Sequence, residues 1–423
     1  MTSVALTGRR RLSAGEVEMI LGAHEKFATG RPGGRRAVLK FVDLSGFNLV
    51  GRNLTEADFS GSILDGTRLA GANLERANLF GADLRNADLR GARLVRADLR
   101  GACLRGANLT QADLTQADFR VGQIAIPHPS KGLSSLTHAS REGQLDSAVL
   151  MGATLDGVQM NDATAFAADF SDCSLKGATL TGANLKDANM TGAILDGANV
   201  AGANLEGTNL SYAAMGGVDV RSARTSSATN MTGVIQAPSE DAEARMPELW
   251  ARAQSNHAWV TTGGKQGQPA NFDREDMRPL GDKLAGLKLT AMSAKDANMM
   301  GMDLSSCHLQ GANLEGADLR GARLCQADLR GARLVGANMT KTNLAKADLS
   351  PLPLGARSTK ASMERSCLRY ASALSTDMTS ATLDGADLRG CDLRGAKLTD
   401  AGLRDVDGSS ALGFDDAVAA LAS

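Results

Sequence analysis

From Ala82 to Leu109 the chain reads ADLRNADLRGARLVRADLRGACLRGANL, with leucine at every fifth position. A helix repeats its buried face every 3.6 residues and a strand every second residue, so neither produces this spacing. The period runs from Leu39 to Phe119 without a miss, and only Phe59 and Phe119 replace leucine. Two residues ahead of the large side chain stands a small one, usually Ala, with Arg52 and Phe47 as exceptions. Asp or Asn lies between the two, and Gly is frequent two residues after. The consensus is A-(D/N)-L-x-x.

The period shifts phase across Val121–Gly143 and resumes from Leu145 to Val220, weakened at Ala165. A third tract covers Leu284–Leu354, weakest at Ala294, and a fourth covers Met363–Leu403. Together they hold 57 units, about two thirds of the 423 residues. Five residues bury too little to fold alone, but stacked units cover one another and pair their backbones. The small and large residues of each unit then point inward. Leu44, Leu54, Phe59, Leu84, Leu89, Leu94, Leu99 and Leu104 should line the first tract, and Phe170 and Leu185 the second. Leu314, Leu319 and Leu329 take that role in the third and Leu388 in the fourth. Aromatics are only 3% of the chain, which suits an interior of aliphatic side chains and alanine.

The units ADLRN, ADLRG and ANLTQ resemble those of the pentapeptide-repeat family. The resemblance covers all four tracts and implies an all-β solenoid, a right-handed quadrilateral β-helix with four pentapeptides per coil. On that fold Leu84, Leu89, Leu94 and Leu99 occupy four successive sides of one coil, and Leu104 stacks on Leu84. A scaffold of this kind hosts many activities, so function has to be argued from sites.

Open solenoid ends expose backbone and apolar surface and need covers. Ser13 and Glu16 form a capping box, and Val17, Ile20, Leu21 and His24 share one helical face. His24–Leu39 aligns without gaps to His257–Phe272, matching His24 to His257, Gly34 to Gly267 and Ala37 to Ala270. The reading is two tandem capped solenoids; a single solenoid with an insertion is the other arrangement. Its boundaries are an N-terminal helical cap at 1–38 and a first solenoid at 39–230 interrupted by a loop at 121–144. A linker with helix and second cap follows at 231–271, then a second solenoid at 272–405 interrupted at 278–283 and 355–362. A capping helix at 406–423 carries Leu412, Phe414, Val418 and Leu421 at helical spacing. It serves as a lid, or as the element of a homodimer.

Catalytic patterns are missing. The six cysteines form no C-x-x-C pair, so neither zinc nor a disulfide framework is expected, and the compartment reads as reducing. Cys173, Cys307 and Cys391 fall at small inward positions; Cys103, Cys325 and Cys367 fall outward. His24 and His257 read as structural hydrogen-bond formers, and His128 and His138 lie in the interrupting loop. No nucleophile elbow, phosphate loop or dinucleotide fingerprint occurs. No enzyme, cofactor, metal or small-molecule substrate is expected. The absence of an apolar signal core or long apolar run places the protein in the cytoplasm, without membrane insertion.

Charge is the remaining signal. Arg85, Arg90, Arg100 and Arg105 form an outward run in the first tract, and Arg320 and Arg330 in the third. The stretch 150–220 carries 8 acids against 2 bases, including Asp156, Asp169, Asp187 and Asp196. These residues are the candidate interaction surface. The expected activity is a non-enzymatic scaffold whose flat polar faces bind another protein, as monomer or homodimer, with nucleic acid binding disfavoured. The family resemblance also implies an alternative, mimicry of DNA toward gyrase or topoisomerase through the acidic tract.

Overall fold

A computed structural model describes residues 9–122, 125–128, 132–135 and 143–419. The chain divides after Ala237 into two compact units.

In the first unit the Asp or Asn of each pentapeptide pairs in parallel with the residue 20 positions on, as in Asp58↔Asn78, Asp83↔Cys103 and Asp98↔Asp118. Four five-residue sides therefore make one coil. Each rung is held by two backbone bonds: the Leu39 N–H donates to the Asp58 carbonyl at 2.7 Å, and the Asp58 N–H to the Ala37 carbonyl at 3.0 Å. At each corner the small residue's N–H closes a turn onto the preceding large residue, as Ala57 does onto the Leu54 carbonyl at 3.0 Å. The third residue of that turn, Glu56, has φ +61°, the type II arrangement that favours Gly. Gly holds many such corners, but Glu56, Arg76, Arg96, Gln111 and Gln116 do so too. A non-Gly residue there costs about 1–2 kcal/mol, which the burial of one leucine per side, about 1.5–3 kcal/mol, offsets.

The core follows the period. Leu44, Leu54, Phe59, Leu84, Leu89, Leu94, Leu99, Leu104, Phe170 and Leu185 are buried, as are Leu314, Leu319, Leu329 and Leu388 in the second unit. Leu84 donates to the Cys103 carbonyl at 2.7 Å, the rung that sets Leu104 over it. Where the small inward residue is polar, it finds a backbone acceptor. The Thr67 hydroxyl donates to the Leu44 carbonyl at 2.9 Å, and the Cys173 and Cys307 thiols reach the Leu150 and Leu284 carbonyls.

The phase shift at 121–143 is an insertion that the coil absorbs. Cys103 pairs with Gln144, far beyond the regular spacing of 20 positions. The excess is one more than a multiple of five, so the chain re-enters the wall with its phase moved by one. Strands β3 (Ala125–His128) and β4 (Gly132–Ser135) pair as an antiparallel hairpin there. His138 lies outside the described residues. Rungs continue past 230 to Ala214↔Ile235, and Val220, which opens a 3₁₀ turn at Val220–Ser222, packs half-buried against the core. At the N-terminal end, β1 (Arg10–Arg11) pairs in parallel with β2 (Val42–Asp43). Helix α1 (Ala14–Ala28) follows, with its Ser13/Glu16 capping box formed and Val17, Leu21 and His24 buried.

The second unit opens with α2 (Glu240–Ala244) and α3 (Met246–Thr261). Pro247 sits in the first turn of α3, where its missing N–H is harmless. The interruption at 278–283 is a 3₁₀ turn, Arg278–Leu280, with Leu280 buried. To make room for it Asp276 pairs with Asn298, where a regular coil would reach Asp296. Leu354 was expected as the last member of the third tract, and here the sequence reading fails. It lies 59% exposed at the end of β5 (Leu352–Leu354), paired with β6 (Arg357–Thr359) in a hairpin. The hairpin projects because Arg333 pairs with Ser362, where a regular coil would pair it with Pro353.

At the C-terminal end Leu412 is not on the helix: it closes the rung Asp392↔Leu412. Helix α4 (Phe414–Ala419) brings the Phe414 ring to where Gly408 would carry an inward side chain. Leu421 lies outside the described residues.

Candidate interaction surfaces

The Asp or Asn of each repeat has a second task besides pairing rungs. Its Oδ1 accepts the backbone N–H two residues on, as Asn73 does from Glu75 at 3.1 Å and Asn108 from Thr110 at 3.0 Å. Residues two apart on a strand share a face, so the following side chain can reach the same group. Ser and Thr add a hydroxyl bond, as Thr115 does to Asp113 at 2.6 Å. Arg closes a two-pronged fork on its own repeat's Asp.

That fork recurs at the predicted arginines. Arg85 Nε and Nη2 lie 2.8 and 2.7 Å from the Asp83 oxygens, and Arg90 meets Asp88 with both contacts at 2.8 Å. Arg100 forks onto Asp98 at 2.9 and 2.7 Å, Arg320 onto Asp318 at 2.9 and 2.7 Å, and Arg330 onto Asp328 at 2.9 and 2.6 Å. The Arg90 guanidinium holds the Asp88 carboxyl below its ordinary range. The arginine columns are therefore neutralised repeat by repeat, and Arg320 is buried instead of exposed. The D-x-R spacing inside A-D-L-R was the available signal.

Arg105 differs because its repeat carries Cys103 in place of Asp. It reaches Asp146 on the next coil at 3.2 Å. Arg85 and Arg105 meet Asp146, Thr164 and the 43% exposed Phe166 in an open depression of about 820 Å³.

The four predicted carboxylates do not form one acidic stripe. Asp156 and Asp196 share a column with Lys176 between them, as the rungs Thr154↔Ser174↔Ile194 require. Asp156 accepts the Lys176 N–H at 3.1 Å, and Asp196 accepts the Gly216 N–H at 2.7 Å. Asp169 lies on another side and accepts the Asn189 amide at 3.1 Å. Asp187 is a corner residue with φ +57°, packed under Gly207. Asp156, Asp169 and Asp196 are thus each fastened to their own walls.

A model of the Pentapeptide repeats family matches residues 35–71, 64–94, 92–120, 168–207, 195–224, 283–321, 317–350, 361–400 and 376–407. The chain belongs to the pentapeptide-repeat family. No curated protein sequence matches it. Among solved structures it is similar to QnrB1, a plasmid-mediated fluoroquinolone resistance protein. The two are 18% identical over 51% of this chain and 96% of that one, with a TM-score of 0.32. It is also similar to HetL of Nostoc sp. strain PCC 7120, a pentapeptide-repeat protein involved in heterocyst differentiation regulation. That match has 20% identity over 95% and 96% of the two chains and a TM-score of 0.18. A third is Rfr23 of Cyanothece 51142, 27% identical over 31% and 85%, TM-score 0.14.

This pentapeptide-repeat chain also has an element the period did not anticipate as surface. Residues 353–359 of the β5–β6 hairpin and Lys360 just after it are all exposed, with Leu354 beside the tip and Arg357 on the returning strand. Gly355 has φ +63°, as a type II′ hairpin turn requires. Leu352 seats the hairpin against Gly331 of the wall.

Two of the buried cysteines stay chemically quiet. Burial pushes the Cys307 and Cys391 thiols up to about 12, so little thiolate forms near neutrality. Among the described residues no cluster of three His, Cys, Asp or Glu could hold a metal ion. No helix among them is long and apolar enough to cross a membrane.

Proposed function

We propose that this protein works without catalysis, by presenting its repeat faces and the β5–β6 hairpin to a protein partner in the cytoplasm. The observation that carries this is the immobilisation of the outer side chains. Each Asp or Asn is hooked on backbone, and many of the following Arg, Ser and Thr groups are hooked on that Asp or Asn. Ordering such side chains on binding normally costs about 0.5–1.5 kcal/mol each; here much of that ordering precedes binding. The flat walls favour an extended partner surface, and the chain serves as monomer or as homodimer through its C-terminal element.

DNA mimicry toward gyrase is the second reading, favoured by the excess of acids at 150–220. The scatter of Asp156, Asp169 and Asp187 over different sides, with Lys176 inside the Asp156–Asp196 column, argues against it. Cross-linked capture from the native host, followed by titration of the purified captured protein, tests the proposal. A saturable complex weakened by removing the hairpin is expected. Absence of any saturable protein complex, together with turnover of a small molecule, would overturn it.

A further inference from the structure

We infer that the helical cap of the first unit is a proton-sensitive latch governed by His24, and that the second unit has the same latch in a form that acid does not open.

His24 is buried on α1, and its Nδ1 accepts the N–H of Ala37 at 3.1 Å, where the chain enters the first coil. An accepting Nδ1 carries no proton, so the neutral ring bears its hydrogen on Nε2. That atom is buried with no well-formed hydrogen-bond partner among the described residues. The ring stacks on Phe27 with centroids 5.7 Å apart. The charged groups that act on it are Arg36, on the turn leading into the coil, and Glu56, at a corner of that coil; the Thr55 carbonyl acts from the same coil. Burial, the largest influence, and Arg36 disfavour a charged ring, whereas Glu56 and Thr55 favour one more weakly, so His24 titrates below the ordinary histidine range.

The second unit makes the same connection with different chemistry. Ala270, the counterpart of Ala37, donates its N–H to Oδ1 of the buried Asn256 at 3.0 Å. The Asn256 amide in turn donates to the Thr290 carbonyl at 3.2 Å. Thr290 follows Leu289, the fourth large inward residue of its unit after Phe272, Met277 and Leu284, as Thr55 follows Leu54 in the first. The gapless alignment of His24 with His257 is thus off by one in the helix: His257 instead accepts the Lys288 N–H at 3.1 Å. Leu249 and Ala253 take the places of Val17 and Leu21, which fixes the register.

Protonating His24 turns Nδ1 from acceptor to donor and sets two N–H groups against each other. Because the folded ring titrates below the free one, the latch is fully closed above about pH 6.5 and is lost as pH falls toward the folded value. Asn256 has no such transition. Acid therefore loosens α1 and uncovers the end of the first core, whereas on α3 it can reach only the His257 contact to the Lys288 N–H and leaves the Asn256 hold on Ala270 closed.

Hydrogen exchange on the full-length protein at about pH 7.5 and about pH 5, corrected for intrinsic rates, tests this across the histidine range. Peptides from Ala14–Ala28 should lose protection at the lower pH, about tenfold for each unit by which the folded ring titrates below free histidine. Peptides from Met246–Thr261 should lose less, because Asn256 keeps its hold on Ala270 whether or not His257 releases the Lys288 N–H. His24→Asn should abolish the response of α1, and Asn256→His should enlarge that of α3. Equal responses of α1 and α3, an unresponsive α1, or an acid response that survives His24→Asn would overturn the inference. If His24→Asn loosens α1 at both pH values, the wild-type contrast between α1 and α3 decides alone.

Discussion

Asp98 and Arg100 flank the buried Leu99 and meet on the outer face, with Nε 2.9 Å from one carboxylate oxygen and Nη2 2.7 Å from the other. The same Asp98 oxygen takes the Arg100 N–H at 3.2 Å. The carboxylate therefore serves the backbone first and the guanidinium second. Asp98→Asn should leave stability within about 0.5 kcal/mol, because Asn53 and Asn73 make the backbone contact elsewhere. Asp98→Ala should cost about 1 kcal/mol. Arg100→Ala should cost less than about 1 kcal/mol, as exposed pairs do. Urea midpoints read all three, and an Asn variant as weak as the Ala variant would refute the backbone assignment.

Leu94 is fully buried among the stacked sides of the first unit. Leu94→Ala should lower stability by about 2–5 kcal/mol. Leu94→Asp should unfold the unit by burying an unpaired charge. Circular dichroism on heating distinguishes them; a cooperative, wild-type-like transition for the Asp variant would contradict the inward placement.

The β5–β6 hairpin is an addition to a coil that is complete without it. Arg333 pairs with Ser362, nine positions beyond the Pro353 that a regular coil would offer. Deleting the nine residues Pro351–Thr359 leaves Lys360 at the corner, a left-handed position that Lys341 and Lys346 already occupy with φ +57° and +60°. That variant should melt within a few degrees of wild type, equivalent to about 1 kcal/mol. Deleting Lys360 as well removes the corner and should unfold the coils that follow. Equal stability of the two deletions would show that register is not what the hairpin length preserves.

Acid should act on the second unit through Asp303. The Arg323 guanidinium bonded to it brings its carboxyl down to about 2. A carboxylate lowered by folding stabilises the native state above its unfolded value, near 4, and that contribution is lost as pH falls toward 2. Arg323→Gln should flatten the stability curve in that window, read from urea midpoints at stepped pH. An unchanged slope would remove the pair from the account.

The inward leucines and the closing capping box were legible because each depends on residues close in sequence. Leu39–Phe119 needed only the period, and Ser13–Glu16 only a spacing of three. Leu354 carries the right spacing yet leaves the wall, since position within a period does not reveal whether a coil lies beside the residue to pair with it. The two caps misled for a related reason: α3 runs one residue further past Asn256 than α1 does past His24, so Asn256 replaces His24 in space while His257 replaces it in the alignment. The arginine surface was half legible. Outward direction followed from the period, but neutralisation by the Asp two residues earlier required the strand geometry that brings both groups to one face.

A DNA gyrase supercoiling assay with purified full-length protein bears most directly on the claim that these walls bind a protein partner and do not imitate DNA. The account predicts unchanged supercoiling at micromolar protein, because Asp156 and Asp196 are separated by Lys176 and the remaining carboxylates sit on other sides. Inhibition at sub-micromolar protein that disappears as salt is raised, the signature of charge-driven competition with DNA, would contradict it.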